Sequence, residues 1–364
     1  MCRFRQARQT LILAIASLAT LWTSKFAYAC MVCEMQRSPA IVLTFSPDGQ
    51  WLASSNRWRW SGGKLTTRTT IEIWKVPKLK IVKQLPEGQR VIALAFSPDS
   101  KILAASGMNN WVSLWKLPEG KRVRRFMTEA EGYNEVHSLV FSPNGRLLAA
   151  GTRDGVIYLW QTPQVKLIGV LVTGQEGIVV SLTFSPDGKK LVALVKGYWH
   201  QLWVQLWDVQ AKKLLWEREP KFRLSSIAFT RDGRRLVGAG DTLLVLSTID
   251  GSVISKQGLT SFHSPPGGVS ADGQFIALYD FSGSVKVKRS HDFKDIWQAS
   301  VISWKLKKQL HRWAERIEQG TNLPMTKPFS RPILPSASMA AFSPDNRWLA
   351  LGFDNGQIKL WRIR

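Results

Sequence analysis

The sequence is poor in cysteine, in acidic residues and in long hydrophobic runs. Of 364 residues three are cysteine, and 26 aspartates and glutamates stand against 50 lysines and arginines, which gives a formal net charge of +24. So few cysteines exclude a disulfide-rich scaffold. The longest candidate for a membrane segment, Leu11 to Trp22, falls short of the roughly 18 apolar residues that a spanning helix needs. The basic excess favours anionic partners but does not indicate a fold.

The first 29 residues have the pattern of a signal peptide. A basic region precedes the apolar run, and an A-x-A cleavage site follows it. We therefore predict an exported protein, periplasmic or secreted, whose mature chain comprises residues 30–364 and has no membrane span. Cleavage would lower the formal charge only from +24 to +20, because residues 1–29 contain four basic and no acidic side chains. The residues of this pattern are Arg3, Arg5 and Arg8, then Leu11 to Trp22, then Ala27-Tyr28-Ala29.

Two cysteines, Cys30 and Cys33, remain at the predicted mature N-terminus. Their C-x-x-C spacing could bind zinc, but no second ligand pair appears elsewhere, and Glu34 stands where a haem-attachment site needs histidine. A local disulfide or a free pair is the favoured interpretation, and a lipid on Cys30 stays open, although Ala27 replaces the leucine usual before such a site. We expect no cofactor and no metal.

One phrase recurs along the chain: "FSPDGQWLASS" at residues 45–55 returns three more times in nearly the same words. The residues in the phenylalanine position are separated by 51, 45, 43, 45, 40 and 73 residues. A period near 45 with four short strands is typical of a β-propeller blade. Seven such positions predict an all-β, seven-bladed β-propeller with one real insertion, before the last of Phe45, Phe96, Phe141, Phe184, Phe229, Val269 and Phe342.

The third repeat shows how the blade arises. Val136–Phe141 and Val156–Trp160 alternate apolar and polar residues, and Leu147–Ala150 is a small apolar run, which predicts three strands. Ser142 to Gly145 has the residues of a tight turn, with proline followed by a turn former and a glycine for the left-handed conformation. Each phrase is therefore predicted to be a hairpin turn with a buried phenylalanine at its entrance. The basic segment Lys121–Met127 is predicted as an outermost, edge strand.

With these residues in view, residues 38–364 resemble the WD-repeat family of propellers. The matching pieces are the "FSPDG" turn, the small apolar strand after it, and the segments Asp154–Trp160 and Asn355–Trp361. The family's Gly-His pair is missing and its Trp-Asp pair survives only at Trp207-Asp208, so the hydrogen-bond network of those residues in the family is not predicted here. The sixth repeat is the poorest, because Pro265 to Gly268 interrupts its first strand.

The sequence after the third strand of repeat seven is only a few residues long. We therefore expect Met31 to Gln36, which precede the first strand of repeat one, to supply the fourth strand of the last blade and close the ring. A closed ring leaves no free sheet edge of the kind that promotes association.

Three insertions interrupt the repeat. The first lies in repeat one, the second in repeat four, and the third, residues 303–335, between repeats six and seven. In the third, apolar residues at spacings of four, three and four predict an amphipathic helix at about 303–320, whose stripe either packs on the propeller or contacts a membrane. In the family such loops open on one face. The candidate partner-binding residues are Arg57, Trp58, Arg59 and Trp60 in the first insertion, Lys196, Tyr198 and Trp199 in the second, and Lys307, Lys308 and Arg312 in the third.

No pattern in the chain indicates catalysis. The five histidines stand in no nucleophile or metal motif, and no phosphate-binding glycine loop occurs. We therefore predict a non-enzymatic exported scaffold that recognises a protein, an anionic envelope polymer or a lipid headgroup through one face. The alternatives are a hydrolase or lyase acting on acidic polysaccharide, disfavoured by the lack of a paired acid and base in the insertions, and nucleic-acid binding, which fits the charge but not export.

Overall fold

The computed structural model describes most of the chain downstream of residue 41, and it contains 29 β-strands there and no helix. The described residues are 42–55, 59–61, 64–66, 70–88, 90–128, 134–162, 164–198, 201–260, 262–265, 267–280, 283–301, 337–353 and 357–364. The signal peptide, the segment Met31 to Gln36 and the helix expected at 303–320 lie outside these residues.

The strands form seven antiparallel sheets arranged in chain order, so the predicted seven-bladed β-propeller is confirmed. The first three blades are β1 (Leu43–Phe45), β2 (Trp51–Ser55), β5 (Thr70–Lys75) and β6 (Lys80–Pro86); then β7 (Val91–Phe96), β8 (Ile102–Gly107), β9 (Trp111–Lys116) and β10 (Lys121–Met127); then β11 (Val136–Phe141), β12 (Leu147–Thr152), β13 (Val156–Gln161) and β14 (Lys166–Val172). Between β2 and β5 a separate hairpin pairs β3 (Arg59–Ser61) with β4 (Lys64–Thr66).

The other four blades repeat the same order from the first, innermost strand to the outermost. They are β15 (Gly177–Phe184), β16 (Lys190–Gly197), β17 (Leu202–Asp208) and β18 (Lys213–Arg218); β19 (Leu224–Phe229), β20 (Arg235–Gly240), β21 (Thr242–Ser247) and β22 (Val253–Gly258); β23 (Phe262–His263), β24 (Phe275–Asp280), β25 (Ser284–Arg289) and β26 (Asp295–Ser300); and β27 (Ala337–Phe342), β28 (Trp348–Phe353) and β29 (Ile358–Arg362).

Blade six is the least regular, as the sequence predicts. Its first strand, β23, has only two residues, and a single bridge between Val269 and Ile276 follows it. Gly267, within the interrupting segment, has a φ of +73°, a left-handed conformation that glycine adopts without strain. Proline supplies no amide hydrogen to a ladder, so Pro265 and its neighbour divide the strand.

The recurring phrase forms the turn between the first and second strands of every blade. In blade one the Ser46 hydroxyl donates to Asp48 Oδ1, while the Trp51 amide donates to Ser46 Oγ at 2.9 Å. The same hydrogen bonds recur in the other six turns, with Asn144 replacing aspartate in blade three. Ser100 and Asn346, in the glycine position, have φ of +60° and +54°. The seven entrance residues, Phe45 to Phe342, are all buried, as predicted.

Hydrophobic packing occurs between neighbouring blades. Seven separate clusters of buried residues exist, and each joins one pair of adjacent blades. The cluster between blades seven and one contains Leu43, Phe45 and Leu52 on one side and Ala341 and Ala350 on the other. Because the inner strands of a sheet are covered on both faces by neighbouring blades, strands such as β7 and β8 read as nearly continuous apolar runs, whereas the outermost strands β6 and β10 are largely exposed.

The turns themselves also form a closed ring. A Cβ placed on Gly145 would lie 3.5 Å from Cδ of Pro98 in the preceding blade, and the same relation holds for Gly188 and Pro143 at 3.6 Å. Gly49 of blade one lies against Pro344 of blade seven in the same way, at 4.0 Å. Blades one and seven are therefore adjacent, and the ring is closed at the level of both core and turns.

Two buried tryptophan indoles donate hydrogen bonds to polar side chains. In blade two Glu87 accepts hydrogen bonds from Ser113 Oγ at 2.7 Å and from Trp115 Nε1 at 2.9 Å. In blade four the corresponding tryptophan, Trp207, donates to Gln205 Oε1 at 3.2 Å, and Gln205 Nε2 donates to Glu217 at 2.5 Å. The buried indoles of these two blades thus have different polar partners.

Candidate functional site

The strand directions divide the loops of the propeller between two faces. Because neighbouring strands are antiparallel, the connections between second and third strands and those between blades leave from the same face, which we call the insertion face. The "FSPDG" turns lie on the opposite face, the turn face. All three predicted insertions start at strand ends on the insertion face: Ser55 of β2, Gly197 of β16 and Ser300 of β26.

The first insertion contains the β3–β4 hairpin, which sequence reasoning did not separate from the blade. Arg59 pairs with Thr66 and Trp60 with Leu65 across the two strands. Two of the candidate binding residues, Arg59 and Trp60, therefore belong to a short ribbon that extends from blade one. Arg57 and Trp58 lie outside the described residues.

The second insertion continues the hairpin of β16 and β17 beyond the sheet. Lys196 is exposed at the end of β16, and Tyr198 is 46% exposed. The Tyr198 hydroxyl donates a long hydrogen bond of 3.4 Å to the carbonyl oxygen of Arg153, in the loop of blade three. This contact holds the aromatic ring across the boundary between two blades. Trp199 lies outside the described residues.

A pocket of about 270 Å³ opens beside the second insertion, between blades four and five. Glu219, Lys221 and Arg223 supply charged groups to its lining. Next to them, Nζ of Lys256 lies 5.3 Å from the centroid of the Phe222 ring. Sequence reasoning missed these residues, although "EPKFR" at 219–223, a basic and aromatic segment joining two blades, could have indicated them. The lining residues are Gln201, Leu202, Glu219, Pro220, Lys221, Phe222 and Arg223.

A histidine and a glutamate contact each other on the same face at the start of blade three. The ring nitrogen Nε2 of His137 lies 2.9 Å from Oε2 of Glu135, and both side chains are largely buried. The hydrogen bond from His137 lowers the pKa of the Glu135 carboxyl, and the charges of His137, Arg153 and Arg90 add to the effect. Basic groups therefore lie near the Glu135 carboxylate at this edge of the face.

The third insertion lies outside the described residues, and with it Lys307, Lys308 and Arg312. Of the ten candidate residues, the structure describes Lys196 and Tyr198 with their side chains and the strand positions of Arg59 and Trp60. It brings Tyr198 into contact with blade three. It does not show contacts between one insertion and another.

The described part of this face offers charged and aromatic binding groups. Within it, no three histidine, cysteine, aspartate or glutamate side chains are grouped so that they could hold a metal ion. Nor do the described residues include a helix that is long and apolar enough to span a bilayer. What this face presents is exposed lysine, arginine and aromatic side chains around a small pocket, which suits recognition of an anionic or amphipathic surface.

Comparison with known proteins agrees with the architecture. The family model "WD domain, G-beta repeat" matches residues 80–116, 121–161 and 337–362. These segments fall in blades one to three and in blade seven. A curated relative, telomerase protein component 1 of Rattus norvegicus, is 33% identical over 95 residues, which are 26% of this chain and 3% of that protein. The chain thus spans a very small part of that relative's length.

Solved structures resemble nearly the whole chain. Hydrazine synthase from Kuenenia stuttgartiensis superposes with a TM-score of 0.63 and 15% identity, over 89% of this chain and 96% of that one. The Cps50 (Swd1) β-propeller domain of Myceliophteria thermophila gives a TM-score of 0.65 and 14% identity, over 88% and 96%. At this level of identity the likeness concerns the fold alone.

Proposed function

We propose that this chain, a WD-repeat β-propeller of seven blades, is an exported, non-catalytic binding module that holds a protein or an anionic envelope component on its insertion face. WD40 propellers mediate protein interactions, and the fold hosts many different partners. The observation that carries the proposal is that all three interruptions of the repeat start at strand ends on one face, where the second adjoins a pocket with basic groups.

Binding on this face would combine charge with aromatic contact. Lys196, Lys221 and Arg223 would attract an anionic partner, and Tyr198, Phe222 and the tryptophans of the insertions would supply the buried area. Charged groups mainly raise the association rate and give salt dependence, whereas aromatic and arginine anchors contribute most of the affinity. The closed ring keeps Lys196, Tyr198 and the pocket residues in place before the partner arrives, which lowers the entropic cost of association.

A role in cleaving acidic polysaccharide is the alternative from a different class. Glycosidases use two carboxyl groups at a defined separation. The pocket on the insertion face has a single acidic residue in its lining, Glu219, so the arrangement there favours holding an anion over cleaving one. The likeness to hydrazine synthase shows that an enzyme shares the fold, and at 15% identity it does not bring the activity to this chain.

A capture experiment tests the proposal. The mature protein, immobilised, is exposed to an envelope extract at low and at high salt, and bound protein and polymer are identified. We expect a partner that the wild type retains at low salt and that K196Q/K221Q/R223Q loses. The matched control is K189Q/R231Q/R234Q, which removes the same charge from the exposed turn face. Equal retention by the wild type and both variants would contradict binding at the insertion face.

A further inference from the structure

The outermost strands of blades one and two form a basic surface on the rim of the propeller, away from the insertion face. All of β10 except Arg125 and Phe126 is exposed, and so is all of β6 except Leu85. The two strands carry six cations and no acidic residue: Lys80, Lys83, Lys121, Arg122, Arg124 and Arg125. We call the exposed residues 80–83 and 121–124 the rim patch.

The turn that leads into the second half of the rim patch contacts the first half. Gly120, in the turn that leads into β10, packs on the side chain of Lys83 in β6. A Cβ placed on Gly120 would lie 2.6 Å from Cε of Lys83 and 3.0 Å from Leu85. The cations of the two blades therefore belong to one continuous surface.

Two described acidic residues near the rim patch have partners of their own, and the charges of Arg125 and Arg122 partly oppose the raised pKa of Glu87. Glu119 pairs with Lys116 at 3.1 Å, and Glu87 is buried and accepts hydrogen bonds from Ser113 and Trp115. Other rims differ. On blade six Asp295 pairs with Lys286 at 2.9 Å and with Lys288 at 2.7 Å, and on blade four the outer strand itself contains Glu217. Among the described residues, no cation of the rim patch forms a salt bridge, in contrast to Lys286 and Lys288 of blade six.

Two arginines of β10 are held by aromatic rings. The Arg122 guanidinium lies 5.4 Å from the centroid of the Trp115 ring, and that of Arg125 lies 4.7 Å from the centroid of Trp111. Stacking of this kind fixes the guanidinium plane, so less conformational entropy is lost when its edge binds a carboxylate.

Aliphatic side chains lie between the cations. Ile81 is 38% exposed, Val82 46% and Val123 46%. A bare polyelectrolyte gains nothing from such groups, whereas a protein segment with apolar side chains among its acids can bury them. The mixture therefore favours a protein over a polysaccharide or a nucleic acid.

We propose that the rim patch is a second binding site, which takes an acidic, amphipathic segment of a partner protein. The segment binds through side chains and does not add a strand to β10. The ladder of β9 and β10 shifts register between Arg122 and Arg124, and bulges and basic residues on an edge strand hinder pairing with another strand. The site is independent of the one on the insertion face.

The test uses two labelled peptides of equal charge, one of alternating glutamate and leucine and one of glutamate alone, titrated with the mature protein at low salt. The rim variant K80Q/K83Q/K121Q/R124Q should weaken binding of the alternating peptide about tenfold, since four exposed ion pairs are lost. The control K189Q/R231Q/R234Q/R235Q should leave it within about twofold. V82S/V123S should weaken the alternating peptide about threefold and leave polyglutamate unchanged.

Two results would overturn the proposal. Equal weakening by the rim variant and the control would show that only net charge matters. Polyglutamate binding as tightly as the alternating peptide, with V82S/V123S without effect, would assign the rim to a bare polyanion. In the envelope capture described above, the rim variant should still retain the partner that K196Q/K221Q/R223Q loses, which separates failure of this site from failure of the one on the insertion face.

Discussion

The indole Nε1 of Trp115 donates a hydrogen bond of 2.9 Å to Glu87, a carboxylate that is only 7% exposed between blades one and two. Burial raises the pKa of Glu87 above its ordinary 4.5, and this effect exceeds the opposing hydrogen bonds from Ser113 and Trp115. The charged form is thus the less favourable one in the folded state.

Stability should therefore respond to pH through Glu87. Since the folded state holds this proton more tightly than the unfolded state, the contribution of Glu87 is most favourable below pH 4.5 and declines as the pH rises through its folded pKa. Glu87→Gln should raise the unfolding temperature at neutral pH, and the gain should vanish well below pH 4.5. Thermal melts across this range measure it, with Glu119→Gln at an exposed site as control. A gain that is independent of pH would contradict this assignment.

The close packing between turns of neighbouring blades predicts that replacing glycine by alanine lowers the free energy of unfolding by different amounts at two positions. Gly188 and Gly273 have similar φ, +72° and +65°, but a Cβ would lie 3.6 Å from the Pro143 ring in the first case and 2.7 Å from the Phe229 carbonyl oxygen in the second. Gly188→Ala should lower the free energy of unfolding by about 1 kcal/mol, because alanine is strained in the left-handed conformation. Gly273→Ala should cost about 3 kcal/mol, because backbone must move as well. Denaturant unfolding compares them, and equal losses would disprove the close approach.

The salt dependence of binding should distinguish the charged residues of the insertions from the tryptophans. Once a partner has been captured, neutralising Arg57, Arg59, Lys307 and Lys308 should weaken binding and flatten its dependence on salt, because exposed charges are screened within about 8 Å at physiological ionic strength. Replacing Trp58 and Trp60 by alanine should reduce affinity by about tenfold or more at every salt concentration. The turn-face control K189Q/R231Q/R234Q/R235Q removes equal charge. If it matches the first variant, the site-specific interpretation is wrong.

The mature protein should begin at Cys30. This prediction follows from the basic region, apolar run and A-x-A site of residues 1–29. Mass spectrometry of the exported protein should find residues 1–29 absent. Their retention would contradict export by cleavage, and an added acyl mass on Cys30 would identify a lipid anchor.

Deleting Met31 to Gln36 should impair the last blade. Among the described residues its sheet has three strands where the other six have four. If this segment supplies the fourth strand, the deletion exposes an edge and should lower the unfolding temperature or cause association. Thermal melts and size-exclusion chromatography check both. An unchanged midpoint and a monomeric elution would argue that another segment completes the sheet.

Much of the fold could be predicted because one short phrase specifies it repeatedly. Proline, aspartate and glycine each determine a turn position, and the phenylalanine before them marks a buried strand end, so seven anchors were enough to count the blades. The break in blade six was also visible, in Pro265 and the glycines after it.

The binding surfaces were less predictable. The pocket at 219–223 arises from two blades that meet in space, and the contact of Gly120 with Lys83 joins residues of different repeats. The periodicity of the sequence describes one blade at a time and contains no information about contacts between residues of different blades. The polar partners of the buried indoles, Glu87 in one blade and Gln205 in another, were hidden for the same reason.

The contact between Gly49 and Pro344 makes the first and last blades neighbours like any other pair. In an open array of repeats, the terminal units have one neighbour and fray first. Here every blade has two, and detaching any one of them breaks two hydrophobic interfaces at once. Unfolding is then expected to be a single cooperative event, with amide exchange slowed to a similar degree in inner strands all round the disc and no end blade from which a protease could begin.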